Sequence, residues 1–181
     1  ANVPKEEWDA IGSRGFDAVW LMGVWERSPP GIAIAQKHEG LLADFRRALP
    51  DFRSEDNVGS PYCIRRYAVD ERLGGPAGLK AARAELAKRK LKLVLDFVPN
   101  HLAPDSPYSK EHPEYFLQGT EEDLRRDPAS FIKVGDKVIA CGRDPYFPPW
   151  SDTLQLNYAN PELQSAMQDE LLNASECCDG L

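Results

Sequence analysis

The 181 residues carry a formal net charge of −7, with 42% hydrophobic and 28% charged residues. That balance fits a soluble globular chain long enough to bury a core. The acidic excess argues against a nucleic-acid partner, and no apolar run approaches the ~20 residues of a membrane span. The chain opens on Ala1 with no basic segment leading into an apolar one, so no signal peptide is visible; with Met absent from position 1, a removed leader stays open. The compartment is left open, with the cytoplasm favoured.

Residues 4–14 read as a short helix. Pro4 suits its first turn, Glu6 and Glu7 favour its positive end, Trp8 and Ile11 share a face, and Gly15 suits the stop. Residues 16–25, FDAVWLMGVW, read as a buried strand. Ser28-Pro29-Pro30-Gly31 breaks it, and residues 32–52 show weak helical patterning with Leu41, Leu42, Phe45 and Leu49 on a shared face. Residues 53–60 are polar and loop-like. Gly74-Gly75-Pro76 reads as a turn into a helix over 76–90, with Leu79, Ala82 and Leu86 inward. A phosphate-binding Gly loop fails there, because no strand runs into the glycines and no Gly-Lys-Ser/Thr follows. Lys88, Arg89, Lys90 and Lys92 cluster where cations suit a helix C-terminus.

The chain is organised around residues 91–101, LKLVLDFVPNH. A continuous apolar run ends in Asp96, Asn100 and His101, as a buried parallel strand does when it delivers polar groups to one end of a barrel. Residues 102–158 are proline-rich with no long clean period, which fits a long functional loop with short helices near 113–116 and 121–126. Asn160 then caps a helix with Pro161 at its first position and Leu163, Met167, Leu171 and Ala174 at helical spacing. Residues 177–181 look like the opening of another strand. Cys63, Cys141, Cys177 and Cys178 show neither CxxC nor zinc spacing, and the adjacent pair reads as small apolar residues at a strand start. The order helix, strand, helix, strand, helix, strand implies an α/β fold with parallel strands.

GFDAVWLMGVW, then GSPY with Tyr67 and Asp70 after it, then DFVPNH, then DTLQLNYANPEL, then Asp179-Gly180-Leu181, resembles the alpha-amylase family, glycoside hydrolase family 13. The resemblance runs over nearly the whole chain. It implies a partial (β/α)8 TIM barrel, from about strand 2 to the start of strand 4, with residues 102–158 as the long insertion after the third strand. Residues 1–181 would then be one incomplete catalytic barrel domain that needs the rest of its own barrel and folds poorly alone. The nucleophile and the acid/base carboxyl of retaining glycoside hydrolysis are expected beyond Leu181, so no catalytic carboxylate is assigned here.

What the resemblance assigns to this chain is substrate binding. His101 matches a histidine that donates to a sugar hydroxyl, against the plainer reading of a structural His bonded to a nearby carbonyl. Asp96 matches the start of the same motif and would hold the polar network under the sugar. Tyr62 matches an aromatic stacked on the sugar ring. Asn100 matches a position that offers calcium its side-chain oxygen in many members and only ties the long loop to the barrel in others; Leu154-Gln155-Leu156-Asn157 lacks the acids expected beside such a calcium. Arg66 stands where an acid is common. Tyr146, Phe147 and Trp150 are further sugar platforms or loop packing, and His38 and His112 are expected to face solvent. The implied function is that of a retaining α-glycoside hydrolase or transglycosylase acting on α-glucan oligosaccharides or polysaccharides, with no organic cofactor. The alternatives are a non-catalytic member with a binding or assembly role, and an unrelated barrel enzyme using Asp96 and His101 as an acid/base pair.

Overall fold

The computed structural model describes residues 3–181. The chain is mixed α/β and divides into two units, one of Ala1–Glu26, Tyr67–Phe97 and Ala166–Leu181, the other of Arg27–Arg66 and Val98–Ser165. In chain order the helices are α1 (Lys5–Ser13), α2 (Pro29–Ala35), α3 (Glu39–Ala48), α4 (Gly75–Lys88), α5 (Pro107–Glu111), α6 (Glu121–Arg126) and α7 (Pro161–Glu176). The strands are β1 (Ala18–Leu21), β2 (Trp25–Arg27), β3 (Ile64–Val69), β4 (Lys92–Leu95), β5 (His101–Leu102), β6 (Gln118–Gly119), β7 (Phe131–Val134), β8 (Lys137–Gly142) and β9 (Trp150–Gln155).

The first unit has the parallel order expected of an α/β chain. β1 and β4 pair in parallel, Ala18 opposite Lys92 through Leu21 opposite Leu95. A third segment joins on the far side of β4: the Asp179 N–H donates to Leu93 O at 2.8 Å, the Leu95 N–H donates to Gly180 O at 3.0 Å, and Val94 bridges Gly180 in parallel. The expected strand opening at the end of the chain is therefore present. Leu86, Leu91, Leu93, Leu95, Ala174 and Cys178 are all buried. The glycine turn starts a helix as expected, with Gly74 at φ 105° in the left-handed region where a Cβ is disfavoured.

Two strand readings need correction here. Residues 16–25 do not form one buried strand. The ladder stops at Leu21, Gly23 turns the chain at φ 69°, and Phe16, Trp20 and Met22 are more than half exposed. Only Gly23, Val24 and Trp25 are buried. Likewise residues 91–101 are not one strand. β4 ends at Leu95, because Pro99 has no N–H to offer a ladder and restricts Val98 before it. Asp96 closes β4 in the first unit, while Asn100 and His101 belong to the second.

In the second unit, Ser28-Pro29-Pro30-Gly31 starts a helix instead of only ending a strand. The Ser28 hydroxyl accepts from the Gly31 N–H at 3.0 Å, with prolines in the first turn. The single helical stretch expected over 32–52 is two helices, with exposed His38 capping α3 through its ring nitrogen. Residues 102–158 hold more order than a loop: an antiparallel sheet β5-β9-β8-β6, with β7 also paired to β8. β7 and β8 join through Gly135-Asp136, with Gly135 at φ 61°, a two-residue hairpin turn. Helix α6 and a 3-10 turn at Pro113–Tyr115 fall where short helices are expected. Phe116, Ile139, Leu154, Leu156 and Leu163 are fully or almost fully buried and form its core. The helical face predicted for α7 is only partly internal, since Leu171 is 38% exposed.

Candidate carbohydrate-binding site

The second unit contains a cavity of about 800 Å³ whose lining includes Tyr62, His101, Trp150 and Asp152. The Tyr62 side of it is a loop built by its own polar groups. Asn57 Oδ1 accepts from the Gly59 N–H at 3.0 Å, Gly59 sits at φ 85°, and Ser60 Oγ accepts from the Tyr62 N–H at 3.2 Å. The opposite side is sheet: His101 in β5 stands opposite Gln155 in β9.

His101 is buried, and both its ring nitrogens are engaged. Asn100 Nδ2 donates to Arg143 O at 3.2 Å and lies 3.0 Å from His101 Nδ1, so Nδ1 is the acceptor. That leaves the proton on Nε2, which donates to Tyr62 O at 3.1 Å. Burial lowers the His101 pKa, against smaller opposing effects of the Tyr62 carbonyl and Asp152, so the neutral ring is favoured. The imidazole thus fixes the Tyr62 backbone, the arrangement weighed above as the plainer role for this residue. The Trp150 ring lies 5.3 Å from the imidazole at 58°. Gly142 is required behind the ring: a Cβ there would stand 2.9 Å from His101 Cβ and 2.4 Å from Thr153 Oγ1.

Asp152 is a lining residue that sequence reasoning did not single out. Its carboxyl is pushed up from the usual range by burial, with its own backbone N–H and His101 pulling the other way. Cys63 and Cys141 are also buried, which pushes their thiols up to about 12 and about 11, so neither is a nucleophile near neutral pH. Tyr146 and Phe147 are strongly exposed and do not line the cavity; of the three loop aromatics only Trp150 does. The His112 side chain is 44% exposed, as expected of a solvent-facing residue, and it also has neighbours. It stacks on Tyr115 at 4.6 Å and contacts Glu114 at 3.0 Å.

Asp96 lies in the first unit, and each oxygen of its carboxylate accepts a hydrogen bond there. Oδ1 accepts from Trp20 Nε1 at 3.0 Å, Oδ2 from the Gly23 N–H at 2.6 Å, and its backbone carbonyl from Trp25 Nε1 at 2.8 Å. Tyr67 packs in the same unit between Trp25 and Phe97, with ring centroids at 5.4 and 5.0 Å. Asn100 Oδ1 faces an amide donor, Gln155 Nε2 at 3.1 Å. That orientation is fixed because Gln155 Oε1 accepts from the Arg143 N–H. No group of three or more His, Cys, Asp or Glu among the described residues could hold a metal. A neutral amide oxygen facing an N–H is a poor calcium ligand, so this donor set does not fit the ion.

No protein-family model matches the sequence, and no curated protein does. Solved structures match over nearly all of it. An alpha-amylase from Lactobacillus plantarum is 26% identical, with a TM-score of 0.63 over 96% of this chain and 32% of its own. The solved structures that this chain resembles are enzymes of the alpha-amylase family. An isomaltulose synthase from Klebsiella sp. LX3 (18% identity, TM-score 0.66, 96% of this chain and 29% of its own) shares the fold. So does a trehalose-6-phosphate hydrolase from Bacillus licheniformis (17%, 0.66, 95% and 28%). The chain thus spans about a third of the length of these alpha-amylase-family structures. Among the described residues no helix is long and apolar enough to cross a membrane.

Proposed function

We propose that this chain is the substrate-binding wall of a retaining α-glycoside hydrolase or transglycosylase acting on α-glucans or related glucosides. It would supply about strands 2 to the start of 4 of a (β/α)8 barrel. The observation that carries the reading is the meeting of Tyr62, His101 and Trp150 on one cavity. A flat ring and an imidazole N–H are what a sugar needs, one for its C–H face and one for a hydroxyl. In this reading a sugar hydroxyl takes over the His101 Nε2–H from the Tyr62 carbonyl. Asp96 holds the end of β4 and the Gly23 turn.

Retention of configuration needs two carboxyl groups ~5 Å apart, one attacking and one transferring a proton. Asp96 is committed to two N–H donors, which leaves it poorly suited to either task. In this reading the bond-breaking carboxyls come from other parts of the full-length protein, as the family resemblance implies, and the 181 residues alone are expected to release no sugar. Proton NMR of the full-length protein acting on maltotriose tests this. The reading expects the α-anomer to appear first. A β-anomer, or no cleavage of any α-glucoside, overturns it.

A further inference from the structure

Helix α3 is amphipathic, yet none of its residues is buried. Leu41 is 39% and Leu49 43% exposed, and the Phe45 and Phe52 rings lie 5.3 Å apart. These four side chains form one wall of the cavity that Tyr62 and His101 line. The same cavity holds two polar groups with hydrogen-bonding capacity to spare. The half-buried Asp152 carboxylate has, among the described residues, only its own backbone N–H. Asn57 Nδ2 is buried and, among the described residues, has no acceptor. One seeks a donor and the other an acceptor. A hydroxyl group answers both, so the polar part of the cavity suits a polyol and the α3 wall suits a hydrocarbon ring. The volume of about 800 Å³ is that of a small-molecule site.

We propose that this cavity selects α-glucosides carrying an apolar aglycone, with Asp152 and Asn57 on the sugar hydroxyls and the Leu41, Phe45, Leu49 and Phe52 face on the aglycone. This rests on the function proposed above and names its substrate class. The test compares kcat/KM for p-nitrophenyl α-glucoside and for maltotriose in the full-length protein, its Phe45→Ser variant and its Asp152→Asn variant. Phe45→Ser is expected to lower the aryl glucoside value about tenfold and to shift the aryl-to-maltotriose ratio at least fivefold. Asp152→Asn is expected to lower both values about tenfold or more, because both substrates present hydroxyls. Cleavage of both glycosides with a ratio that Phe45→Ser leaves unmoved overturns this inference alone. Cleavage of neither overturns the proposed enzyme, and the wall is then read by binding. In that case an unchanged Kd for p-nitrophenyl α-glucoside in Phe45→Ser overturns the inference, and a weakened one supports it. Since Phe45 is not buried, a melting temperature within a degree or two of the parent's is expected and separates the effect from misfolding.

Discussion

Asp96 is the residue whose role can be separated most cleanly into holding and reacting. It is 7% exposed and takes two donors, the Trp20 indole N–H and the Gly23 backbone N–H. A hydrogen bond to a charged group contributes about 1.5–3 kcal/mol net, and a buried donor left without a partner costs about 1–3 kcal/mol. Asp96→Asn keeps one acceptor but turns an NH2 group towards one of the two donors, a loss of about 2 kcal/mol. Asp96→Ala strips both and strands the buried Gly23 N–H, a loss of about 3–4 kcal/mol. The bond from Trp25 Nε1 goes to the backbone carbonyl of residue 96 and survives both changes. The assay is thermal unfolding of the full-length variants at pH 7, followed by tryptophan fluorescence beside activity. The expected result is a graded fall in melting temperature, Ala below Asn, by several degrees. If both variants melted within a degree of the parent while activity vanished, Asp96 would be a reacting carboxylate and the reasoning would fail.

Gly142→Ala should place a methyl group against Thr153 Oγ1 and His101 Cβ, costing about 1–3 kcal/mol and weakening α-glucoside binding together; isothermal titration on the folded variant checks it. The Asp179 carboxyl is lowered from its usual value by the Arg83 guanidinium and then by the Leu93 N–H. A depressed carboxyl contributes stability above its unfolded pKa of ~3.9 and loses it as pH falls through the folded value. Asp179→Asn should therefore lower stability near neutral pH and flatten the acid limb of the stability–pH curve below about pH 4, seen in melts across pH 2–7. Gln155→Ala removes the amide that links Asn100 to Arg143, and should loosen the β5–β9 end of the sheet by about 1–3 kcal/mol, visible as faster amide exchange at Leu156. A chelator should leave the melting temperature of the full-length protein unchanged as far as this site is concerned; a fall that added calcium restores and Asn100→Ala abolishes would contradict the reading of its donor set.

The first unit was legible because its signals are local and strong. Glu6, Glu7 and Trp8 announce α1, Gly74-Gly75-Pro76 announces α4, and LKLVL announces β4. The length of the strands was not legible. Apolar residues in 16–25 suggested burial, but Gly23 turns the chain, and Trp20 spends its N–H on Asp96 with its ring exposed. The antiparallel sheet went unread although one of its signals was present. FIKV-GD-KVIACG is a two-residue hairpin with glycine in its first turn position, set in a proline-rich stretch with no long clean period. Tyr62 and His101 stand out by motif, and the structure brings both to one cavity. Asp152 does not stand out, since a lone Asp after Trp-Ser carries no periodic or spacing signal. Its significance comes from a cavity that folding assembles from residues about ninety positions apart.

The account stands on His101 and Tyr62 forming the surface that receives a sugar. A crystal structure of the full-length protein with a bound α-glucoside measures that directly. The account predicts a sugar hydroxyl within hydrogen-bonding distance of His101 Nε2, the ring seated on Tyr62, and the Nε2–Tyr62 O bond released. A sugar bound elsewhere, with that bond still closed, would contradict it.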